Sequence, residues 1–379
     1  MPFHIAIDAS RSTSSRPTGT EHYSLRLVQA LLAANESLRQ PHRISLYLRD
    51  HPPAGLFAES AHTQQFVIPF PRLWTHLRFA AALWQSRPDI TFVPAHTLPA
   101  LFPGRAIVAV HDLGFKVFPA AHPPMQRAYL NATTRFSQAR ADIVLADSQA
   151  TADDLRRYYG TNADKIHVVY PGVDGDCLRE TAADVAAARA KYELPERYFL
   201  FLGTLQPRKN IRRLVQAFAR WQQEQVDNET ALVLAGGKGW LFEDGWLEGA
   251  RNVRLAGYID EADKPGLLAG SIALVFPSLY EGFGFPAIEA MRAETPVIAS
   301  KTSSLGEIVA DAGLLVDPQS VAEIAEAMCR CSADEALRRE LIQRGRQRAG
   351  RFTWAAAAGQ VMQAIAALGA PSSIDAAAI

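Results

Sequence analysis

Two glutamates, Glu281 and Glu289, flank the glycine-rich stretch EGFGFPAIE, with seven residues between them. Pro286 fits the first turn of a helix, where a missing N–H does no harm, and Gly282 and Gly284 let the backbone come close to a ligand. A carboxylate can accept hydrogen bonds from two neighbouring hydroxyls. The stretch therefore predicts a helix start that holds two polyols, such as a ribose and a hexose. Acidic residues are favoured at any helix N-terminus, which accounts for Glu289 but not for the glycines.

A basic pair, Arg208 and Lys209, lies between a predicted strand and a predicted helix. The strand, YFLFL, runs into Gly203, and the helix begins near Asn210. Basic residues before a helix are disfavoured by the helix dipole unless an anion joins them, and a helix N-terminus offers N–H groups to such an anion. The segment predicts a diphosphate-binding site, with a solvated basic loop as the alternative.

Two other predicted strand ends carry polar residues. His111 and Asp112 directly follow the apolar run AIVAV. A histidine there is suited to donate to a phosphate or a sugar hydroxyl, and a structural histidine is the alternative. Gly19 and Thr20 precede the first predicted helix and offer a second helix start rich in N–H groups. This loop does not contain GxGxxG, so the dinucleotide fingerprint is absent.

These residues lie in a chain whose apolar runs alternate with helical patterns. Runs such as FHIAID, RISLYL, AIVAV and DIVLA are nearly continuous, as expected for parallel strands buried on both faces. The pattern breaks around 168–195, and a second series follows. Two successive α/β series predict two Rossmann-like, doubly wound domains that face each other across a cleft, at 1–180 and 190–352. Ligands bind beyond the carboxyl ends of such strands, so we expect the polar segments to form the site.

The composition narrows the functional classes. A chain of 379 residues is long for one core, which agrees with two domains. Its 39 basic and 39 acidic residues balance, which argues against nucleic acid as a partner. Three cysteines are too few for a disulfide framework, and we interpret Asp174, Gly175 and Asp176, which resemble a metal-binding motif, as a turn. We find no signal-peptide pattern and no run of about 18 apolar residues, so we expect a cytoplasmic protein.

One segment, RLWTHLRFAAALWQSR, mixes large apolar and basic side chains. An amphipathic helix of this kind can lie on anionic lipid, here at the inner membrane face. The alternative, which we favour, is a helix whose apolar side packs on the core. The side chains concerned are Arg72, Trp74, Leu77, Arg78, Phe79, Trp84 and Arg87.

Together these motifs resemble those of retaining glycosyltransferases of family 4, which have the two-domain GT-B fold. The resemblance covers almost the whole chain, and the spacing of Glu281 and Glu289 is its most specific part. GTLQPRKNIRRLVQAF resembles the family's donor-phosphate segment. FTWAAAAGQVMQAI resembles its final helix, which packs back on the N-terminal domain and would span 353–370 here. The segments HDLGFKVFP and TGTEHYS resemble segments of bacterial mannosyltransferases of polysaccharide and O-antigen assembly.

The resemblance implies a role for each candidate residue. Arg208 and Lys209 would bind the donor diphosphate and stabilise its charge as it leaves. Glu289 would bind the ribose, and Glu281 would hold the donor sugar. His111 would lie beside the reacting sugar, and His111 and Asp112 would contact the acceptor. The other donor contacts implied are Gly19, Gly203, Tyr258, Gly282, Gly284 and Phe285.

The implied activity is the transfer of a hexose, with retention of configuration, from a nucleoside diphosphate sugar to a glycan or lipid-linked acceptor. GDP-mannose is the favoured donor, while UDP-glucose, UDP-N-acetylglucosamine and dTDP-deoxysugars stay open, as does the oligomeric state. We expect no metal and no cofactor beside the nucleotide sugar. The alternatives are a sugar-nucleotide epimerase on the same fold, which needs no acceptor, and a non-catalytic protein that binds the nucleotide sugar.

Overall fold

The computed structural model describes residues 2–14, 18–71, 73–173, 181–226, 229–249 and 251–369. Asp174, Gly175 and Asp176 lie outside the described residues, as does Arg72 of the amphipathic segment. The described residues form two compact units. One comprises 2–113, 125–172 and 352–369, and the other comprises 114–124 and 173–351.

The first unit is built on a parallel sheet. Its strands are β1 (His4–Asp8), β2 (Arg43–Leu48), β3 (Thr63–Val67), β4 (Ile90–Val93), β5 (Arg105–Val110), β6 (Ile143–Ala146) and β7 (Ile166–Val168). Within the described part of the chain the strand order is β3-β2-β1-β4-β5-β6-β7. The helices up to residue 173 are α1 (Gly19–Glu36), α2 (Ala80–Ser86), α3 (Gly114–Val117), α4 (Pro124–Arg140) and α5 (Gln149–Tyr159), and a π-helical turn, Thr75–Phe79, leads into α2.

The second unit has a parallel sheet of its own. Its strands are β8 (Tyr198–Leu202), β9 (Ala231–Ala235), β10 (Val253–Gly257), β11 (Leu274–Phe276), β12 (Val297–Ser300) and β13 (Leu314–Val316), in the order β10-β9-β8-β11-β12-β13 for the residues described. The helices that follow along the chain are α6 (Ala182–Lys191), α7 (Ile211–Gln225), α8 (Lys264–Ala269), α9 (Phe285–Arg292), α10 (Ser303–Val309), α11 (Val321–Ala333), α12 (Glu335–Ala349) and α13 (Trp354–Gly369). By contacts, α3 belongs to this second unit and α13 to the first.

The apolar runs of the sequence are buried on both faces of the sheets. Every side chain of β8 and β9 is buried, and so is every side chain of β4 and β6. Such burial is what helices on both faces of a parallel sheet produce. The prediction of two Rossmann-like α/β domains is confirmed.

In each sheet the strand order reverses at one place, between β1 and β4 and between β8 and β11. The crevice beyond the carboxyl ends of the strands at such a reversal is where open α/β sheets bind ligands. In the first sheet Asp8 ends β1, and Pro94 follows β4. In the second, Gly203 follows β8 and Pro277 follows β11. The loops that carry Arg208, Lys209 and Glu281 therefore begin at the reversal of the second sheet, whereas His111 follows β5, the neighbour of β4.

The amphipathic segment divides its apolar side chains between core and surface. Trp74 and Phe79 are buried and stack with ring centroids 5.2 Å apart, as the favoured interpretation predicts. Leu77 and Trp84 are instead 52% and 50% exposed. Among the helices described, none has the length and apolarity that a membrane span requires.

Candidate active site

Three charged side chains meet at the strand reversal of the second sheet. Nζ of Lys209 lies 2.6 Å from Oε1 of Glu281, and Arg208 donates to Oε2 at 3.3 Å. Lys209 and Glu281 are buried, and Arg208 is largely so. Burial alone would raise the pKa of Glu281, but the Lys209 ammonium and the Arg208 guanidinium together hold that pKa below its usual value. Two cations and one carboxylate leave a net positive charge, which suits an anionic ligand.

The loops after β8 and β11 are tied together, and this brings the three charges into contact. Asn210 has a left-handed backbone, with φ of 62°, and its side-chain amide donates to the carbonyls of Pro277 and Pro318 at 3.0 and 2.6 Å. The N–H of Leu279 donates to the carbonyl of Arg208 at 2.8 Å. Oδ1 of Asn210 accepts from the Arg213 guanidinium at 3.1 Å, and the side chain makes no capping hydrogen bond to α7. The start of this helix is therefore not closed by its own N-cap side chain.

Two glycines of the site have positive φ angles. Gly284 has φ of 105°, and a Cβ added there would lie 2.5 Å from Cδ2 of Leu305. Gly203 has φ of 140°, and its Cβ would lie 3.9 Å from Nζ of Lys209. A side chain at either position would be strained. The helix α9 begins directly after Gly284, at Phe285.

Two serines at the start of α10 hold the loop that contains Glu281 and Gly282. The Oγ of Ser303 accepts the main-chain N–H of Glu281 at 3.0 Å. The Ser304 hydroxyl lies 2.9 Å from the carbonyls of both Glu281 and Phe283. These contacts fix the backbone around the buried carboxylate.

A second cluster in this unit surrounds Glu289. Nζ of Lys264 lies 2.6 Å from Oε1 of Glu261 and 3.7 Å from Oε1 of Glu289. Burial would lower the pKa of Lys264, but the charges of Glu289 and Glu261 outweigh it, so the pKa is raised. Tyr258 follows β10 and is 47% exposed. Glu281 and Glu289 therefore belong to two different clusters, and Lys264 is a member of the second that was not predicted.

In the first unit, His111 is enclosed by groups from three other elements. Its Nδ1 lies 2.8 Å from Oδ2 of Asp147, and its Nε2 lies 3.3 Å from the carbonyl oxygen of Pro94. Its main-chain N–H donates to Nε2 of His96 at 3.0 Å. The ring of Tyr23 packs edge-on with a centroid distance of 4.6 Å. Asp147 and His96 follow β6 and β4, so the ends of three neighbouring strands meet here.

The helix start at Gly19 already holds a carboxylate. Glu21 accepts the main-chain N–H of Thr18 at 3.1 Å, forming a capping box, and its other oxygen accepts from Arg11 at 2.9 Å. A phosphate at this helix start would have to share these donors with Glu21. Asp112 is partly exposed beside the buried His111. In the ranges that the structure covers, no group of three or more His, Cys, Asp or Glu side chains is arranged to hold a metal ion.

Two known protein families match consecutive parts of the chain. Residues 17–176 match Glycosyltransferase Family 4, and residues 184–348 match Glycosyl transferases group 1. O-antigen chain mannosyltransferase B from Escherichia coli is 32% identical over 358 residues, which cover 89% of this chain and 93% of that protein. The chain belongs to glycosyltransferase family 4. The predicted family and the predicted hexosyltransferase class are thereby confirmed.

A further relative and two solved structures are also similar to this chain. The serotype-specific mannosyltransferase WbdA of Escherichia coli is 29% identical over 248 residues, which cover 62% of this chain and 29% of that longer protein. Sucrose-phosphate synthase from Thermosynechococcus elongatus superposes with a TM-score of 0.74 at 25% identity, covering 96% of this chain and 98% of that one. HepE from Anabaena, solved with UDP-glucose, gives a TM-score of 0.71 at 19% identity, covering 96% and 100%. These superpositions establish the GT-B fold.

The structure adds residues to the candidate site that could not be identified from the sequence. Asp147 and His96 each lie just beyond a strand, the same signal that pointed to His111, but they stand in no recognised motif. Lys264 begins α8 and Glu261 lies three residues before it. Their link to the predicted Glu289 is the contact that Lys264 makes with both carboxylates. Tyr23 lies on the buried face of α1, and its contact with His111 follows from the packing of that helix on the sheet.

Proposed function

We propose that this family 4 enzyme is a retaining mannosyltransferase that uses GDP-mannose and extends a glycan or lipid-linked acceptor in cell-surface polysaccharide synthesis. The observation that carries the proposal is the buried cluster of Lys209, Arg208 and Glu281 beside Gly284, at the strand reversal of the second sheet. The similarity to O-antigen chain mannosyltransferase B supports the choice of mannose and of a polysaccharide product.

The charge cluster suits the step in which the sugar–phosphate bond breaks. The bond between the anomeric carbon and the phosphate oxygen breaks with its electron pair moving to the diphosphate, while the sugar becomes oxocarbenium-like. In this proposal Lys209 and Arg208 stabilise the departing diphosphate, because preorganised cations in a buried site act most strongly where charge develops. No metal is required for this role.

The contacts of Glu281 bear on how configuration is retained. A retaining enzyme that forms a covalent intermediate needs a free carboxylate as nucleophile. Both oxygens of Glu281 are engaged, one by Lys209 and the other by Arg208. This favours a reaction on one face of the sugar, in which an oxygen of the departing phosphate takes the proton from the acceptor hydroxyl.

The second cluster supports guanine as the base of the donor. Glu261 and Lys264 place a carboxylate and an ammonium side by side, and the exposed Tyr258 interacts electrostatically with Lys264. Guanine offers two neighbouring N–H donors, which a carboxylate accepts, and the acceptors O6 and N7, which a lysine contacts. Uracil presents one N–H between two carbonyls and fits this pair less well. In the proposal Glu289 holds the ribose hydroxyls.

The base assignment predicts a selective loss of GDP affinity. Replacing Glu261 by alanine should weaken GDP binding about tenfold or more, since a good paired contact to a base is worth about 1–3 kcal/mol. UDP binding should change by less than about twofold. Calorimetric titration of both nucleotides with the Glu261→Ala protein measures this, with Glu335→Ala as the control because Glu335 is exposed on α12. An equal loss for GDP and UDP would contradict the assignment.

Turnover of a panel of nucleotide sugars tests the proposed function. Purified protein is incubated with GDP-, UDP-, dTDP- and ADP-sugars, with and without acceptor lipid, and the released nucleoside diphosphate is measured. We expect release from GDP-mannose that rises with acceptor. Conversion of a donor to another nucleotide sugar without acceptor would instead identify an epimerase, and binding without turnover would identify a non-catalytic protein.

The exposed part of the amphipathic segment supports a membrane-bound acceptor. Leu73, Leu77 and Trp84 are 64%, 52% and 50% exposed, and Arg78 and Arg87 are exposed beside them. Residues 60–141 contain eight Arg or Lys but only two acidic residues, although the whole chain is neutral. Exposed apolar side chains beside exposed arginines favour contact with anionic lipid. We include peripheral binding at the inner membrane face in the proposal.

Sedimentation with liposomes checks this contact. The protein should sediment with phosphatidylglycerol liposomes and stay in solution with phosphatidylcholine alone. Trp84→Ser should reduce binding about tenfold, because burying a large apolar side chain is worth about 1.5 kcal/mol or more. Leu241→Ser, at an exposed leucine of the second unit, is the matched control. Equal sedimentation with both lipids, or an equal effect of both substitutions, would remove the membrane contact from the proposal.

A further inference from the structure

Both ring nitrogens of His111 face hydrogen-bond acceptors. Nδ1 lies 2.8 Å from a carboxylate oxygen of Asp147, and Nε2 lies 3.3 Å from the main-chain carbonyl of Pro94. A carbonyl oxygen and an ionised carboxylate can only accept, so each contact requires a proton on the ring nitrogen. A neutral imidazole has only one such proton. With Asp147 ionised, the geometry is therefore satisfied only by the doubly protonated ring.

The neighbouring histidine, His96, is neutral. Nε2 of His96 accepts the main-chain N–H of His111 at 3.0 Å, so that nitrogen carries no proton. Burial, with the charge of His111 as a second cause, lowers the pKa of His96 to about 3. His96 is thus neutral in the whole range in which enzymes of this kind are assayed, and it places no second positive charge beside His111.

The other groups around His111 favour its charged form. Burial opposes the charge, but the attraction and hydrogen bond of Asp147, with a smaller contribution from Asp112, raise the pKa of His111, and Arg11 opposes them weakly. Burial raises the pKa of Asp147, and His111 offsets part of that rise. Tyr23 supplies a buried ring whose phenol stays protonated. The contact to Pro94 uses the proton on Nε2, and the pair of Nδ1 and Asp147 holds a second proton more tightly. In that pair histidine, with an ordinary pKa of 6.5, is a stronger base than aspartate, with 3.8, so this proton lies on His111.

We propose that Asp147 is a positioning residue that holds His111 as a doubly donating imidazolium, so that the end of β5 presents a fixed cation instead of a general base. The inference rests on the proposed function only in assuming that His111 takes part in sugar transfer. Its Nε2–H has a long contact with Pro94, so it can donate its hydrogen bond to a closer substrate oxygen instead, without any change of protonation. An imidazolium cannot take the proton of the acceptor hydroxyl, which agrees with a reaction in which the departing phosphate does so.

The proton on His111 gives the wild-type enzyme a predictable pH dependence. The raised pKa keeps the imidazolium present as the pH rises through 6.5, the ordinary value for histidine, and it is lost only as the pH passes the raised value. In Asp147→Asn the amide oxygen still accepts from Nδ1, but the attraction of the charge is gone. Burial then lowers the pKa of His111, so the alkaline loss of activity should move to lower pH.

Nitrogen-15 NMR of the histidine side chains tests the protonation state without any turnover. At pH 7.5 both ring nitrogens of His111 should be protonated in the wild-type protein, with the signals assigned by their absence in His111→Gln. In Asp147→Asn one of the two should be unprotonated at the same pH. An unprotonated ring nitrogen in wild-type His111 at pH 7.5 would overturn the proposal. This result does not depend on donor identity, so a failure of the proposed function would leave it unchanged.

A kinetic measurement adds the link to activity. At pH 8, kcat/KM of Asp147→Asn should be about tenfold or more below that of the wild type, with a smaller difference at pH 6, since one pKa unit is a factor of ten in the protonated fraction. Asp153→Asn, at an exposed carboxylate of α5, should follow the wild-type profile. A loss for Asp147→Asn that is equal at both pH values would indicate a merely structural role. Thermal unfolding of each variant shows whether it is folded.

Discussion

Replacing Lys209 by alanine should lower kcat for nucleoside diphosphate release by about 10²–10³-fold, as the removal of one buried, preorganised contact to a developing negative charge does in other enzymes. Lys209 is only 7% exposed, and its ammonium group lies 2.6 Å from Glu281 and 3.9 Å from the position that a Cβ at Gly203 would take. A cation so placed cannot be replaced by solvent. The measurement is the initial rate of release at saturating donor.

Two controls separate this loss from general damage. Arg220→Ala removes an exposed cation from α7, where it pairs with Glu224, and should leave the rate within about twofold of the wild type. The thermal midpoint of Lys209→Ala shows whether the protein is folded. A folded Lys209→Ala protein that retains more than about a third of the wild-type rate would contradict the assignment of the diphosphate site.

Replacing Glu281 by alanine should lower the free energy of unfolding by about 3–5 kcal/mol, because removal of one partner leaves buried charge uncompensated. Lys209 and Arg208 would then face each other without the carboxylate that lies between them. The effect depends on pH. Since the pKa of Glu281 is held below its ordinary value of 4.5, its stabilisation is present above pH 4.5 and is lost as the pH falls through the lowered pKa.

Urea unfolding at pH 7 and pH 4 measures this effect, and the difference between wild type and variant should be smaller at the lower pH. Added pyrophosphate should stabilise Glu281→Ala more than it stabilises the wild type, since the anion replaces the missing charge. Glu335→Ala, at an exposed carboxylate, is the control and should change stability by less than about 0.5 kcal/mol. A similarly small change for Glu281→Ala would show that the buried ion pairs do not form in solution.

The strands of the core could be predicted, whereas the two edge strands of the first sheet could not. β5, β8 and β9 are apolar runs because both of their faces are covered, and such runs are visible in a single sequence. The edge strand β3 contains Gln64 and Gln65, which are exposed, so it carries no apolar run. β7, Ile166–Val168, is too short for a periodic pattern. Both strands are defined by their hydrogen bonds to a neighbouring strand, and these cannot be read from the sequence.

The site was predictable as separate pieces and not as an arrangement. Arg208, Lys209 and Glu281 each have a local signal, a basic pair before a helix and an acidic residue before glycines. Their contact, across more than 70 residues of chain, depends on β8 and β11 being neighbours at the strand reversal. Asp147 and Lys264 are single charged residues that gain a role only from His111 and Glu289. Burial and pairing, which shift their pKa values, exist only in the folded chain.

The anomeric configuration of the transferred sugar is the most direct test of a retaining mannosyltransferase. GDP-mannose labelled with carbon-13 at the anomeric carbon is incubated with the protein and synthetic mannosyl lipid acceptors, and the products are followed by NMR. We expect a new glycosidic linkage with the configuration of the donor, formed in equal amount to the GDP released and lost with Lys209→Ala. An inverted linkage, or labelled GDP-mannose that remains intact with every acceptor while GDP binds, would contradict a retaining mannosyltransferase built on the Lys209, Arg208 and Glu281 cluster.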